Sequence, residues 1–185
     1  MTVPPTAPQA APWAARLRTP FAVLGVRTDG RAVTRVAYLP RNERAQAPAD
    51  AIAAKLALEI ERYLADPEFR FTVPLAPSGT PFQQRVWQAL GAIAPGQSRT
   101  YGEVARMVRS APRAVGQACG ANRIALVIPC HRVVAAMGSI GGFMGAPAPS
   151  QGALPLESET ARGDDDSPIA IKRWLLQHEG YRFGA

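Results

Sequence analysis

The stretch ALVIPCHRVV, residues 125 to 134, combines an apolar run with a pair of potentially reactive side chains. The apolar run predicts a buried strand that ends near Pro129, and Cys130 and His131 follow it directly. The whole chain has two cysteines and two histidines, so one of each side by side is unusual. This strand and its polar end are therefore the first candidate for a functional site.

Cys130 and His131 suggest a nucleophile and its base. A thiol reacts as its thiolate, and a free cysteine with a pKa of about 8.5 is mostly protonated at neutral pH. Neighbouring side chains on a strand point to opposite faces, so a bridging water or a bend after Pro129 would have to connect the pair. A base also needs an acceptor for its second nitrogen, and Glu179 in the segment QHEG is the candidate. The structural alternative is a small buried cysteine beside a histidine with satisfied hydrogen bonds.

Three helices are predicted between residue 79 and this segment. Residues 80 to 93 repeat apolar side chains at helical spacing behind a threonine cap and a proline. Residues 100 to 108 and 113 to 122 are two short helices with a break at 109 to 112, the pattern of a helix-turn-helix. Residues 79 to 145 carry seven basic and one acidic residue, a net +6. This excess predicts a nucleic-acid surface, and the alternative is a solvated surface rich in arginine.

The segment after the cysteine is first rich in glycine and then acidic. Residues 137 to 145 contain four glycines, and the backbone of such a loop can approach a ligand closely. Residues 146 to 168 carry five acidic and one basic residue, a net −4, and their composition predicts a disordered acidic insertion. Residues 169 to 184 predict a final amphipathic helix with Gly180 as its stop.

The first part of the chain predicts a small α/β unit. Residues 1 to 15 are rich in proline and alanine and predict a flexible tail. Residues 21 to 40 contain two β-rich runs around an Asp-Gly pair that suits a hairpin turn. Residues 48 to 66 predict a helix that Asp50 could cap, and residues 69 to 75 predict another short strand.

Two domains are predicted from a joint of proline, glycine and serine between residues 76 and 80. The first spans residues 16 to 76 and the second residues 79 to 185. No stretch approaches the roughly 20 apolar residues of a membrane span, and the N-terminus lacks the pattern of a secretion signal. The low cysteine content favours a reducing compartment, so we expect a cytoplasmic protein.

Five segments of this sequence resemble the O6-alkylguanine-DNA alkyltransferases, also called methylated-DNA–protein-cysteine methyltransferases. IPCHRVV resembles their active-site signature, and GTPFQQRVWQAL, SRTYGEVA, RAVGQACGAN and IKRWLLQHEG resemble their other blocks in the same order. The resemblance covers residues 79 to 145 and 169 to 181. It implies an α/β N-terminal domain, a small sheet plus a helix. A mostly helical C-terminal domain follows, with a winged-helix-like helix-turn-helix and the active-site cysteine.

The resemblance implies a role for each residue of the catalytic set. Cys130 corresponds to the nucleophile and methyl acceptor, and His131 to the base that takes its proton through a water. Glu179 corresponds to the acid that orients this histidine. Asn122 corresponds to a residue that ties the recognition helix to the active-site segment, and Tyr101 to one that binds the base and protonates it as it leaves.

The resemblance also implies a DNA-binding set and a substrate pocket. Arg113 corresponds to a finger that enters the base stack in place of the flipped nucleotide, and its helix lies in the minor groove. The carbonyls of Cys130 and Val133 would accept from the guanine amine, and the N–H of Met144 would donate to O6. The DNA-binding set is Arg113, Ala114, Gly116 and Gln117, and the pocket set is Val133, Gly142, Phe143 and Met144.

The implied function is DNA repair by direct reversal. A methyl or other alkyl group passes from O6-alkylguanine, and from O4-methylthymine, in double-stranded DNA to Cys130 after base flipping. The thioether has no easy route back, so each molecule acts once. We expect a monomer that needs no cofactor and contacts no membrane. We also expect no metal, because the two cysteines and two histidines lack the spacing of zinc ligands.

Two other functions remain open from the residues. A Cys-His-Glu hydrolase would use the same side chains but would turn over repeatedly. A non-catalytic lesion-binding relative would bind the alkylated base without accepting the alkyl group. Such relatives replace the acceptor cysteine, so Cys130 argues against that alternative.

Overall fold

The computed structural model describes residues 12 to 136, 139 to 146 and 166 to 182. Most of the predicted tail and most of the predicted acidic insertion lie outside these residues, as do residues 137 and 138 of the glycine-rich loop. None of the helices in the described part of the chain has the length and apolar composition of a membrane span.

A three-stranded antiparallel sheet begins the fold, with strand order β1-β2-β3. The strands are β1 (Ala15–Arg18), β2 (Val23–Thr28) and β3 (Val33–Leu39). The predicted hairpin is confirmed: the Asp29 carboxylate accepts from the N–H groups of Arg31 and Ala32 and closes the turn. Gly30 takes a φ of +82°, a conformation that favours glycine.

Two predictions in this region are wrong. The predicted tail ends before residue 15, because the N–H of Ala14 donates to Val26 and β1 starts at the next residue. Residues 69 to 75 form no strand and make only an isolated bridge from Leu75 to the sheet. The N–H groups of residues 72 and 73 instead donate to the buried carboxylate of Glu59.

The helix α1 (Ala51–Ala65) confirms the prediction for residues 48 to 66. Asp50 caps it, because its side chain accepts from the N–H of Ala53. One face of the helix is buried in the core beside the sheet, and Tyr63 on this face has no exposed surface.

Three further helices follow, α2 (Pro81–Gly91), α3 (Tyr101–Met107) and α4 (Pro112–Gly120). Capping boxes start the first two helices, at Thr80 as predicted and at Thr100, which was not predicted as a cap. The break predicted at 109 to 112 lies one residue earlier, at 108 to 111, because α3 ends at Met107 and Pro112 already belongs to α4. The indole N–H of Trp87 in α2 donates to the carbonyl of Ala118 in α4 at 2.8 Å.

The strand predicted before Pro129 is wrong. Ile124 makes one isolated parallel bridge with Val36, and the chain then turns, with a φ of +69° at Leu126. This left-handed residue and the missing N–H of Pro129 both break an extended ladder. A single 3-10 turn, Cys130–Arg132, follows directly. The cysteine and the histidine therefore belong to one turn of helix, and the alternation of a strand does not apply to them.

A short parallel pair and a last helix complete the described chain. The pair is β4 (Arg99–Thr100) with β5 (Val133–Val134), which ties the start of α3 to the segment after the cysteine. The helix α5 (Pro168–His178) ends before Gly180, which has a φ of +80°, so the predicted stop is confirmed and residues 181 and 182 lie beyond the helix. Ser167 caps α5 and Asp166 pairs with Arg41 at 3.0 Å, so the predicted disordered insertion does not extend to residue 168.

Candidate active site

A cavity of about 770 Å³ opens between α4 and the glycine-rich loop. This volume is typical of a site for a small molecule. The residues that line the cavity are Tyr101, Pro112, Arg113, Gly116, Gln117, Cys119, Gly120, Cys130 and residues 142 to 146. The predicted residues that do not line the cavity are Ala114, Asn122, His131, Val133 and Glu179. Asn122 contacts the Cys130 sulfur, His131 and Val133 belong to its turn and the C-cap of that turn, and Glu179 contacts His131. Ala114 is on α4.

Cys130 is 3% exposed, and it lines the cavity together with the second cysteine, Cys119. The side-chain amide of Asn122 donates to its sulfur at 3.4 Å and to the carbonyl of Ile128 at 2.9 Å. The same amide accepts from the N–H of Ile124, so it joins the segment after α4 to the turn that carries the thiol. Burial raises the pKa of Cys130, while the Asn122 bond and the positive charge of Lys172 act in the opposite direction.

His131 is fully buried and faces the carboxylate of Glu179, with Nε2 at 2.9 Å from Oε1. A carboxylate only accepts, so Nε2 carries the hydrogen and Nδ1 offers a lone pair. Nδ1 makes no hydrogen bond with any other described residue. Burial lowers the pKa of His131 below its usual value, Glu179 opposes this, and Arg132 and Lys172 add to it. At neutral pH the resting site therefore holds a neutral thiol beside a neutral imidazole.

Arg132 forms a two-pronged ion pair with Glu179. Its Nε lies 2.9 Å from Oε2 and its Nη2 lies 2.9 Å from Oε1, and Nη1 donates to the carbonyl of Ile93. The hydroxyl of Tyr63, from α1, also donates to Oε1 at 2.9 Å. Burial alone would raise the pKa of Glu179, but the bonds and charges of His131 and Arg132 lower it to about 2. The carboxylate is therefore ionised throughout the neutral range.

Lys172 of α5 is a part of the site that the sequence reasoning missed. It has no exposed surface, and its ammonium donates to the carbonyls of Val133 at 2.6 Å and Gly142 at 3.0 Å. Burial lowers its pKa to about 8. A signal was present, because Lys172 shares a helical face with Leu175, Leu176 and Glu179, and a lysine on a buried face needs a polar partner.

Tyr101 stands at the start of α3, and its hydroxyl donates to the carbonyl of Gly142 at 3.0 Å. Burial raises the pKa of this phenol, so it remains a donor at neutral pH. Gly141 has a φ of +70°, and an added Cβ would lie 3.1 Å from the ring of Tyr101. The loop can therefore approach the tyrosine only with glycine at this position. Phe143 is buried and Met144 has a φ of +50°, so both take fixed places in the cavity wall.

The first two turns of α4 carry the candidate DNA-binding residues. Arg113 and Gln117 are exposed, and both line the mouth of the cavity. Gly116 faces Tyr101, since an added Cβ would be 3.9 Å from its ring. Val115, Ala118 and Cys119 on the other face are buried, so α4 presents its polar face to the outside.

The sequence matches the model of a protein family described as "6-O-methylguanine DNA methyltransferase, DNA binding domain" over residues 81 to 181. A methylated-DNA–protein-cysteine methyltransferase of Methanosarcina mazei is 35% identical over 134 residues, which cover 69% of this chain and 85% of that protein. The protein of the same name from Salmonella typhimurium is 41% identical over 112 residues, which cover 60% of this chain and 53% of that protein.

Solved structures with a similar fold include Mycobacterium tuberculosis OGT in complex with DNA. The two chains are 30% identical in sequence and superpose with a TM-score of 0.70. The superposition covers 92% of this chain and 93% of the other. The likeness extends over the sheet as well as the helices, beyond the part that the family match covers.

Proposed function

Because the chain belongs to the 6-O-methylguanine DNA methyltransferase family, we propose that it repairs DNA by moving an alkyl group from O6 of guanine to Cys130. The transfer is irreversible and each molecule acts once. We further propose that O4-methylthymine is a second substrate and that a monomer acts on double-stranded DNA in the cytoplasm, without a cofactor. The observation that carries the proposal is the position of Cys130, which lines the cavity and directly precedes His131 in the same turn.

The proposed chemistry is a single displacement at the alkyl carbon. The sulfur of Cys130 forms a bond to this carbon while the bond from the carbon to O6 breaks, and its electrons stay on guanine. The thiol proton passes through a water to Nδ1 of His131, and Glu179 holds the imidazolium that forms. Guanine leaves after taking up a proton, for which the hydroxyl of Tyr101 is the proposed donor.

The cavity would receive the base in a flipped position. A base inside a duplex is out of reach of a buried thiol, so the nucleotide must leave the stack. We propose that the main-chain N–H of Met144 donates to O6 and that the carbonyls of Cys130 and Val133 accept from the guanine amine. The Val133 carbonyl already accepts from Lys172, so guanine would use its second lone pair.

The helices α3 and α4 would form the DNA-contacting unit, a helix-turn-helix in a winged-helix-like domain. Arg113, Ala114, Gly116 and Gln117 would lie along the minor groove, and small side chains allow close approach. Support comes from the net charge of +6 over residues 79 to 145 and from the exposed polar face of α4.

Weighing the intact protein tests the proposal. After incubation with duplex that contains O6-methylguanine, we expect the mass to rise by one methyl group, on Cys130, and transfer to stop at one equivalent of lesion per protein. The unmethylated duplex serves as the control and should leave the mass unchanged. Continued turnover with no retained group would instead identify a hydrolase.

The Arg113→Ala variant should lose repair of duplex far more than reaction with the free base O6-methylguanine. The finger would hold the extruded state, and unstacking a base costs a few kcal/mol, so we expect a loss of about 100-fold on duplex and less than about 3-fold on the base. Transfer rates on both substrates measure this difference. The exposed Arg109, near the turn, provides a matched Arg109→Ala control. Equal losses on the two substrates would exclude the finger role.

A further inference from the structure

Tyr63 connects the sheet-and-helix half of the chain to the pair formed by His131 and Glu179. It lies near the end of α1, 116 residues before Glu179, and it is completely buried. Its hydroxyl donates to Glu179 Oε1 at 2.9 Å, and its main-chain carbonyl accepts from His178 Nε2 at 2.9 Å. The end of α5 is therefore hydrogen-bonded to this tyrosine at both its ring hydroxyl and its main-chain carbonyl.

The oxygen that Tyr63 contacts is also the one that faces His131. Glu179 Oε1 receives three donors, His131 Nε2, Arg132 Nη2 and the Tyr63 hydroxyl, each at 2.9 Å. Among the described residues, only Arg132 Nε donates to Oε2, also at 2.9 Å. Each donor to Oε1 takes up part of its negative charge, so the tyrosine and the histidine compete for one oxygen.

We propose that Tyr63 is a positioning residue for alkyl transfer, which fixes the Glu179 carboxylate against His131 and weakens its pull on the histidine proton. This inference rests on the proposed function, because it concerns the base of that reaction. Through Tyr63, α1 would take a direct part in orienting His131 and Glu179, although the sequence of this region carries no catalytic motif.

The physical effect is on how readily the imidazole accepts a proton. A carboxylate with a free lone pair stabilises an imidazolium more strongly than one already bonded to a phenol. The groups that face His131 are Glu179 and Lys172 of α5 and Arg132 of the same turn. Those that face Glu179 are His131, Arg132, Tyr63 and Tyr38 of β3. Apart from the neutral His131 itself, Tyr63 is the uncharged donor that the described residues place on Oε1.

The Tyr63→Phe variant of the full chain tests the proposal without any DNA. The chain has two histidines, so the His131 ring can be followed by NMR during a pH titration. We expect its pKa to rise by roughly one pH unit, because a charged hydrogen bond that competed for the carboxylate is gone. The Tyr38→Phe variant is the matched control, since Tyr38 is partly buried and its hydroxyl oxygen is buried without a hydrogen bond to Glu179.

The pH dependence of the transfer rate provides the second measurement. With O6-methylguanine as the free base, Tyr63→Phe should react more slowly at acidic pH, by up to roughly 10-fold for a shift of one pH unit, and match the wild type near pH 8.5. A purely structural defect would lower the rate equally at every pH and would overturn the proposal. An unchanged His131 titration would overturn it as well.

Incorporation of 3-fluorotyrosine at position 63 keeps the test decisive if Tyr63→Phe folds poorly. The fluorinated phenol is a stronger donor of nearly the same shape, so the pKa of His131 should fall instead of rise. A shift in the same direction as in Tyr63→Phe would refute the competition between the two donors. Failure of the proposed function is distinguishable, because it would leave the wild type without a methylated Cys130 whatever the titrations give.

Discussion

The Cys130→Ala variant is expected to bind methylated duplex as tightly as the wild type and to accept no alkyl group. The sulfur is the only proposed nucleophile, so its loss should lower transfer by roughly 10⁴-fold or more. Affinity should survive, because it would come from the basic outer surface around α4 and not from the buried thiol. A filter-binding titration at fixed salt and an intact-mass time course measure the two properties separately.

The second thiol in the cavity makes this test more stringent. Cys119 lines the same cavity, but burial raises its pKa to about 12, so it should stay protonated and unreactive. Peptide mapping of Cys130→Ala after exposure to methylated duplex should therefore find no methyl group on Cys119. Methylation there at the wild-type rate would mean that the acceptor had been assigned to the wrong cysteine.

The Glu179→Gln variant should lose both stability and repair. Removing the carboxylate leaves the guanidinium of Arg132 buried without a counter-charge, which costs about 3 to 5 kcal/mol. For a chain of this length, the loss lowers the melting temperature by roughly 6 to 20 °C. Transfer by the folded protein should fall by about 100-fold, because the imidazolium of His131 loses its partner.

A second buried glutamate offers a matched control. Glu59 accepts from the backbone of residues 72 and 73, away from the cavity. Glu59→Gln should therefore lower the melting temperature while the folded protein keeps its transfer rate. If Glu179→Gln and Glu59→Gln lose transfer equally, the effect of Glu179 would be one of folding and not of base orientation.

Acid should remove the contribution of Glu179 in a defined range. Its pKa is lowered from an ordinary 4.5 to about 2 in the folded chain, so its stabilisation is complete above pH 4.5 and is lost as the pH falls towards 2. Denaturation curves between these values should show this loss in the wild type. They should not show it in Glu179→Gln, which has no proton to bind at this position.

Local patterns were sufficient to predict most of the helices. Apolar spacing and the caps at Asp50 and Thr80 act within a few residues, so α1 and α2 could be predicted within a few residues of their bounds. The strand prediction for the apolar run before Pro129 failed, because a short buried apolar segment has no periodicity that distinguishes a strand from turns. Its left-handed residue, Leu126, has a side chain that gives no sign of this conformation.

Which site residues could be predicted also depends on whether their contacts are local or distant in the chain. Cys130 and His131 were recognisable because they are adjacent, and Glu179 because a base needs an acceptor. Tyr63 and Lys172 were not, since their partners lie 116 and 39 residues away in the chain. Each resembles an ordinary core position on an amphipathic helix until the fold brings its polar end to a carboxylate or a carbonyl.

The burial of the Cys130 thiol also bears on how long an unused molecule lasts. Oxidants and disulfides attack the accessible thiolate, and oxidation beyond the sulfenic acid is not readily reversed. A thiol that is 3% exposed and kept protonated escapes most of this chemistry. For a protein that would be used up by one lesion, each cysteine lost to an oxidant would be a repair event lost. Low intrinsic reactivity would thus preserve the cellular stock of active molecules until a damaged base arrives.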